Sequence, residues 1–340
     1  MKHILLLFIL SSLATATLQA KRYFVKVGGA GDGSSWESPL GDLQAALKLA
    51  TAGDEVWLAA GTYVPSSTGD RTVAFAIPKG VKVFGGFAGT EKALEERNWD
   101  KNVTILSGEI GDAATQEDNA QTIVYFTGAT ADTWIDGVTI TAGAANGFED
   151  GADLSTCGAG IFNNGVGGES SPTIQNCTFV NNYAREGAAI YNYGSEGKCA
   201  PVIKDCRFLK NKADFNGGAI FNNGDYGKCH AAIVNCDFEG NQANYGAGIL
   251  NQGNFGECLV KMQTCEFVDN FAVVRGASFY ENKEMRGVVK TEDENCLYRG
   301  NVSTTSGGQE ENPGGGGKSI EMQPGGAIQR GSDDTRTIGY

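Results

Sequence analysis

From residue 173 to residue 302 the chain repeats one short pattern of alternating polar and apolar positions. Residues 173–179 (Thr-Ile-Gln-Asn-Cys-Thr-Phe) are matched by 202–208 and 232–238, and more weakly by runs ending at Phe267 and Tyr298. Cys177, Cys206, Cys236, Cys265 and Cys296 follow one another at intervals of 29, 30, 29 and 31 residues. Within Cys206-Arg207-Phe208 a period of two sends Cys206 and Phe208 inward and Arg207 outward, the mark of a half-buried strand. Three residues after each aromatic stands an asparagine: Asn182, Asn211, Asn241, Asn270 and Asn301. A second recurring run, glycine-rich and then apolar, ends at Asn163, Asn192, Asn222 and Asn251. No repeat carries a helical apolar stripe, so stacked all-β coils remain.

The expected fold class is therefore all-β: a right-handed parallel β-helix with a short N-terminal capping helix. Like residues then stand above one another at about 4.8 Å, and cysteine, phenylalanine and isoleucine columns form a continuous core. The asparagine columns are predicted to sit at inward corners, bonding backbone groups and their own copies one coil away. Residues 21–150 repeat less strictly. The spacing predicts a helix over 42–50, opened by Asp42 and covering the end of the stack. Strands are predicted at 55–58, 81–84, 104–106, 122–126 and 133–141. Regular coils occupy 151–302, and 303–340 reads as a glycine-rich flexible tail with a strand near 319–322. Residues 1–20 read as a secretory signal peptide: a basic start, an apolar run from Ile4 to Leu10, and small residues before Lys21. That run is too short to span a bilayer, and the mature chain is expected to be secreted or at the cell surface with no transmembrane segment.

The pairs Phe179/Asn182, Phe208/Asn211 and Phe238/Asn241, with the run Gly217 to Ile220, resemble the repeats of chlamydial polymorphic outer-membrane proteins. Asp32 to Trp36, Gly53 to Tyr63, Gly85 to Phe87 and Thr104 to Gly108 are similar to secreted bacterial members of the pectate-lyase-like β-helix superfamily. The resemblance covers nearly all of residues 23–302. It implies an extracellular β-helix with adhesive or glycan-related roles and supplies no transferable catalytic residue. The autotransporter barrel that follows such repeats in the chlamydial proteins is not expected within these residues.

Charge and cysteine content narrow the chemistry. The net charge is −13, and removing the leader, which holds one lysine and no acidic residue, makes it one unit more negative. Nucleic acid is excluded as a partner on that ground. Nine cysteines fall into two columns, Cys177 to Cys296 and Cys199, Cys229, Cys258, with Cys157 left over. An odd column cannot pair fully, so buried thiols acting as small apolar residues are expected. No Cys-x-x-Cys pair exists, and His230 is the single histidine after the leader, which argues against structural zinc and histidine-based hydrolysis. No catalytic or metal-binding residue is assigned. No cofactor is expected; calcium is the one ion that Glu149, Asp150 and Asp153 could hold.

The loops 192–199, 222–229 and 251–258 keep their glycines in register and must stack along one edge. Tyr226 and Phe255, 29 residues apart, then lie one coil apart with Glu196, Asp225 and Asn254 near them. Flat rings beside hydrogen-bonding groups suit a sugar; the alternative is that the rings pack on adjacent loop backbone. The functional expectation is a noncatalytic glycan-binding or adhesive protein, whose partners are extracellular or cell-surface glycans or surface proteins. The runner-up is a polysaccharide lyase or glycoside hydrolase, for which stacked Lys198 and Lys228 and the outward carboxylates would be the raw material.

Overall fold

The computed structural model describes residues 20–148, 151–283, 285–304 and 308–309. Residues 1–19 of the expected leader, Glu149, Asp150 and the strand expected near 319–322 lie outside them. The chain winds into a right-handed parallel β-solenoid of about nine turns with one short α-helix near its start.

Four parallel sheets run along the solenoid. One regular coil reads Val202–Lys204, Arg207–Leu209, Lys212–Asn216 and Ile220–Asn223, one strand per sheet. Neighbouring coils pair in register, Ile203 with Ile174 and Ile233, Phe208 with Phe179 and Phe238. The strands are short because each coil turns four corners, and the corners explain the sequence. Between the first and second strands a left-handed residue recurs at Asn176, Asp205, Asn235, Thr264 and Asn295, with φ between +51° and +56°. Asparagine and aspartate tolerate that conformation better than other side chains. Between the third and fourth strands the left-handed residue is always glycine: Gly158, Gly187, Gly217, Gly246 and Gly276. A β-carbon on Gly187 would lie 2.7 Å from the Ile190 carbonyl oxygen, so nothing larger fits. The strand predicted over 133–141 is accordingly two, Trp134–Asp136 and Thr139–Thr141, divided at Gly137 with φ +75°.

The interior is a set of columns. Phe179, Phe208, Phe238, Phe267 and Tyr298 stack nearly parallel with centroids 4.6–5.2 Å apart. Two asparagine ladders thread the core. Asn182 donates through Nδ2 to Asn211 Oδ1 at 3.0 Å, and the relay continues through Asn241 and Asn270 to Asn301. The second runs Asn163, Asn192, Asn222, Asn251 and ends on Thr291 Oγ1 at 2.8 Å. These amides satisfy buried polar groups that water cannot reach.

The helix is Leu43–Leu49, capped by the Asp42 carboxylate accepting from the Gln44 amide. It buries Leu43, Ala46 and Leu47 against Arg22–Val25, Glu55–Ala59 and Phe75–Ala76. The first coils are braced outside by Phe24, Trp36, Trp57 and Phe87. The Asp32-to-Trp36 motif is part of that brace: Asp32 Oδ1 accepts from the Ser34 amide and hydroxyl, and the Trp36 indole donates to the Glu91 carbonyl. At the other end, pairing reaches Val302–Ser303, and Gly308–Gln309 adds an antiparallel strand.

Candidate functional site

The loops after Ile190–Tyr193, Ile220–Asn223 and Ile249–Gln252 nest backbone on backbone. A β-carbon at Gly197, Gly227 or Gly256 would meet the carbonyl oxygen of Gly165, Gly194 or Gly224 at 2.0–2.1 Å. The Lys228 amide instead donates to the carbonyls of Gly194 and Gly197. Glycine in register is thus the condition for loops this close. The residue before each of these glycines is left-handed: Glu196 at φ +50°, Tyr226 at +54° and Phe255 at +55°. Bulky side chains seldom adopt this conformation. Here it projects all three outward in one column.

The Tyr226 and Phe255 rings stack with centroids 5.3 Å apart and planes inclined by 17°. They remain 63% and 50% exposed, so they pack on each other and not beneath loop backbone. Glu196 is exposed beside them. Next to the rings runs a charge ladder, Glu169, Lys198, Lys228, Glu257. Glu169 pairs Lys198 at 3.0 Å and Lys228 pairs Glu257 at 3.8 Å. His230 is partly buried, its Nε2 2.6 Å from Glu257 Oε1.

Asp225 and Asn254 are close by but engaged differently. Asp225 Oδ1 accepts from the Asn254 amide at 2.6 Å, and Oδ2 accepts from Gln252 Nε2 at 2.6 Å and Asn254 Nδ2 at 3.3 Å. These two residues fasten consecutive loops together. Asn254 Oδ1 is buried with no partner among the described residues. The five residues read from the sequence thus share one edge. Glu196 and the two rings face solvent, while Asp225 and Asn254 hold the loops that present them. Asp153, a candidate calcium ligand, accepts from the Ser155 amide and hydroxyl within its own turn.

Pattern reading missed a cavity of about 330 Å³ whose wall includes Tyr226. Glu186, Tyr191, Tyr193, Phe215 and Asn223 complete much of its lining. Glu186 Oε1 accepts from Asn216 Nδ2 at 2.8 Å, and Oε2 faces the Cys157 thiol at 3.9 Å. Burial holds the Glu186 carboxyl above the usual carboxylate range, and the Asp225 charge adds to this against the Asn216 hydrogen bond and Arg185. The same burial, with Glu186 beside it, pushes the Cys157 thiol up to about 12. Glu186 stands opposite Asn216 and Phe215 lies in a bulge, so no column announces these two, whereas Tyr191 belongs to the recurring column Phe162, Tyr191, Phe221 and Leu250. The available signal was an irregularity: Ala184 and Gly187 stand three residues apart, Ala213 and Gly217 four. The extra residue forms a β-bulge that shifts the pairing of Tyr183–Glu186 with Lys212–Asn216.

A regular parallel solenoid with one edge of nested loops carrying stacked aromatics defines the class. Within it, the chain belongs to the family described as protein of unknown function (DUF1565), which matches residues 27–257. No curated protein matches the sequence. Among solved structures the chain is similar to the pectate lyase Pel9A, at 15% identity over 87% of this chain and 80% of that one, with a TM-score of 0.41. It is also similar to the pectin methylesterase from Aspergillus niger, at 13% identity over 84% and 90%, TM-score 0.39. A rhamnogalacturonan lyase is similar at 13% identity over 82% and 87%, TM-score 0.32.

Proposed function

We propose that this protein is a secreted or cell-surface β-helix that binds glycans without chemically altering them. The observation that carries the reading is the Tyr226/Phe255 stack, two half-exposed rings one coil apart in a left-handed backbone conformation that holds them outward. A sugar lays its C–H face on such a ring, and Glu196, Lys228 and Glu257 stand where its hydroxyls would reach. The surface is shallow and its charges are already paired side to side, which suits holding a polymer better than activating one bond of it. The test is a glycan array probed with the parent and a Tyr226→Ala/Phe255→Ala double variant of unchanged melting temperature. Binding by the parent that falls at least tenfold in the variant is expected. Binding that survives in the variant moves the site elsewhere, and shortening of a bound polymer, or release of unsaturated sugars from it, overturns the noncatalytic reading.

A further inference from the structure

In the regular half of the solenoid the departures from the repeat fall on one sheet: an insertion after Ala145, a bulge at Asp214 and Phe215, and a further bulge at Val273 and Val274. The coil through Ala144–Ala145 makes its next regular corner only at Gly158, so twelve residues of sequence stand where the next coil has Arg185 and Glu186 alone. Two coils on, the bulge at Asp214 and Phe215 adds its extra residue on the same sheet. Insertions and bulges that break a regular scaffold are where binding residues concentrate.

Between the first two departures lie two cavities. The one of about 330 Å³ holds Glu186 and reaches Tyr226; the second, of about 510 Å³, is lined by Phe148, Tyr183, Asp214 and Glu117 among others. Arg185 and Phe215 line both, the guanidinium lying over the Phe215 ring at 5.2 Å. Tyr226 in turn belongs both to the first cavity and to the shallow aromatic surface with Phe255. Shared walls make one track: Phe148 and Tyr183, then Phe215, then Tyr226 and Phe255. It crosses four coils, about 14 Å along the axis at the spacing of parallel strands, and each cavity is in the size range of a small-ligand site.

We infer that this track, from the 146–148 loop past Phe215 to Phe255, is one extended binding groove for a linear glycan of uncharged or amino sugars, with Phe215 as a second ring platform. The inference rests on the glycan-binding reading of the Tyr226/Phe255 edge. Charge fixes the ligand class: the two cavities set the carboxylates of Glu186, Asp225, Asp214 and Glu117 against the guanidinium of Arg185. A uronate polymer would bring further negative charge to that lining. Tyr183 donates to Asp214 Oδ2 at 2.6 Å, which ties the ring to an acceptor on the wall of the second cavity. Several aligned subsites make affinity grow with ligand length, whereas one isolated platform saturates at a short ligand.

Calorimetry would use oligomers of two to six residues of β-1,4-linked glucose and of N-acetylglucosamine, with hexagalacturonate as the anionic counterpart. The parent is expected to bind an uncharged hexamer at least tenfold tighter than the dimer, and tighter than hexagalacturonate. Phe215→Ala, at a side chain 46% exposed, should keep the parent melting temperature and dimer affinity yet lose most of the gain with length. Equal affinity for dimer and hexamer, or a Phe215→Ala variant indistinguishable from the parent, overturns the groove while leaving the Tyr226/Phe255 site standing. Preference for hexagalacturonate overturns the ligand class. A parent that binds no glycan of any kind removes the underlying reading and the groove with it.

Discussion

Asn211 is a fully buried inner member of its relay, and its side chain satisfies neighbours on both sides. Its Oδ1 accepts from the Asn182 amide and from Asn182 Nδ2, while its Nδ2 donates to the Phe179 carbonyl and to Asn241 Oδ1. Asn211→Ala leaves buried donors and acceptors unpaired and should cost about 1–3 kcal/mol; urea denaturation with an unchanged midpoint would place the ladder outside the cooperative core. Phe208 is fully buried between Phe179 and Phe238, whose rings are held by their own strands and cannot collapse inward. Phe208→Ala should accordingly lose about 3–5 kcal/mol in the same assay. Glu186 behaves in the opposite sense to a paired surface acid. Because burial raises its carboxyl, the native state binds a proton more readily than the unfolded chain. Its contribution to stability is therefore complete below the ordinary carboxylate range and is lost as the pH rises through the raised value. Glu186→Gln keeps an acceptor for Asn216 and should flatten that loss. Melting temperatures measured from pH 4 to pH 8 should show the variant gaining on the parent toward the alkaline end, and parallel profiles would show that the carboxyl titrates normally.

At the scale of loops and strands, the nested corners link sequence to site most directly. Gly227→Ala would set a β-carbon 2.1 Å from the Gly194 carbonyl oxygen, so the loop carrying Tyr226 must lift from its neighbour. The variant is expected to fold, since the columns beneath are untouched, but to lose stacking with Phe255 and with it at least tenfold in glycan affinity. Retained affinity would mean that the loops are not what holds the rings. This stacking was legible from sequence because it recurs: the Gly194/Gly224/Gly253 and Gly197/Gly227/Gly256 registers repeat with the coil, and the period does the work of an alignment. The coil interior, the asparagine ladders and the helix behind Asp42 were readable for the same reason, as each follows from a short local rule. The cavity around Glu186 was not. It is built from three coils at the one place where an insertion and a bulge break the period, and its position depends on which way the bulge turns Phe215. Nor did periodicity reveal that Asp225 and Asn254 spend their polar atoms on each other, because column spacing fixes height along the solenoid and says little about side-chain direction.

The whole molecule is a one-dimensional stack, so its behaviour depends on each coil having a neighbour on either side. The thiols report this. The Sγ atoms of Cys177, Cys206, Cys236 and Cys265 each lie between a carbonyl of the preceding coil at 3.6–3.7 Å and the carbonyl two residues back in their own coil at 3.1–3.5 Å, and Cys199 and Cys258 reach the preceding coil at 3.4 and 3.5 Å. In-register columns hold neighbouring β-carbons near the strand spacing of about 4.8 Å, wider than the ~3.5–4.5 Å a disulfide requires. Burial also pushes the thiols of Cys177, Cys206, Cys229 and Cys236 well above their ordinary range, which leaves little reactive thiolate. Those four thiols are therefore poor nucleophiles, and the spacing disfavours a bridge along either column. The last coil is the exception: Cys296 is only partly buried, and Glu281 stands where the ladder would place the next asparagine after Asn251. Alkylation of the native protein, without reductant and followed by peptide mass mapping, should label Cys296 first and the other eight only at the rate of unfolding. In denaturant all nine should react. Fewer than three free thiols under those conditions would show that the coils are cross-linked, and rapid native labelling along either column would show that the stack opens from its middle and not from its end.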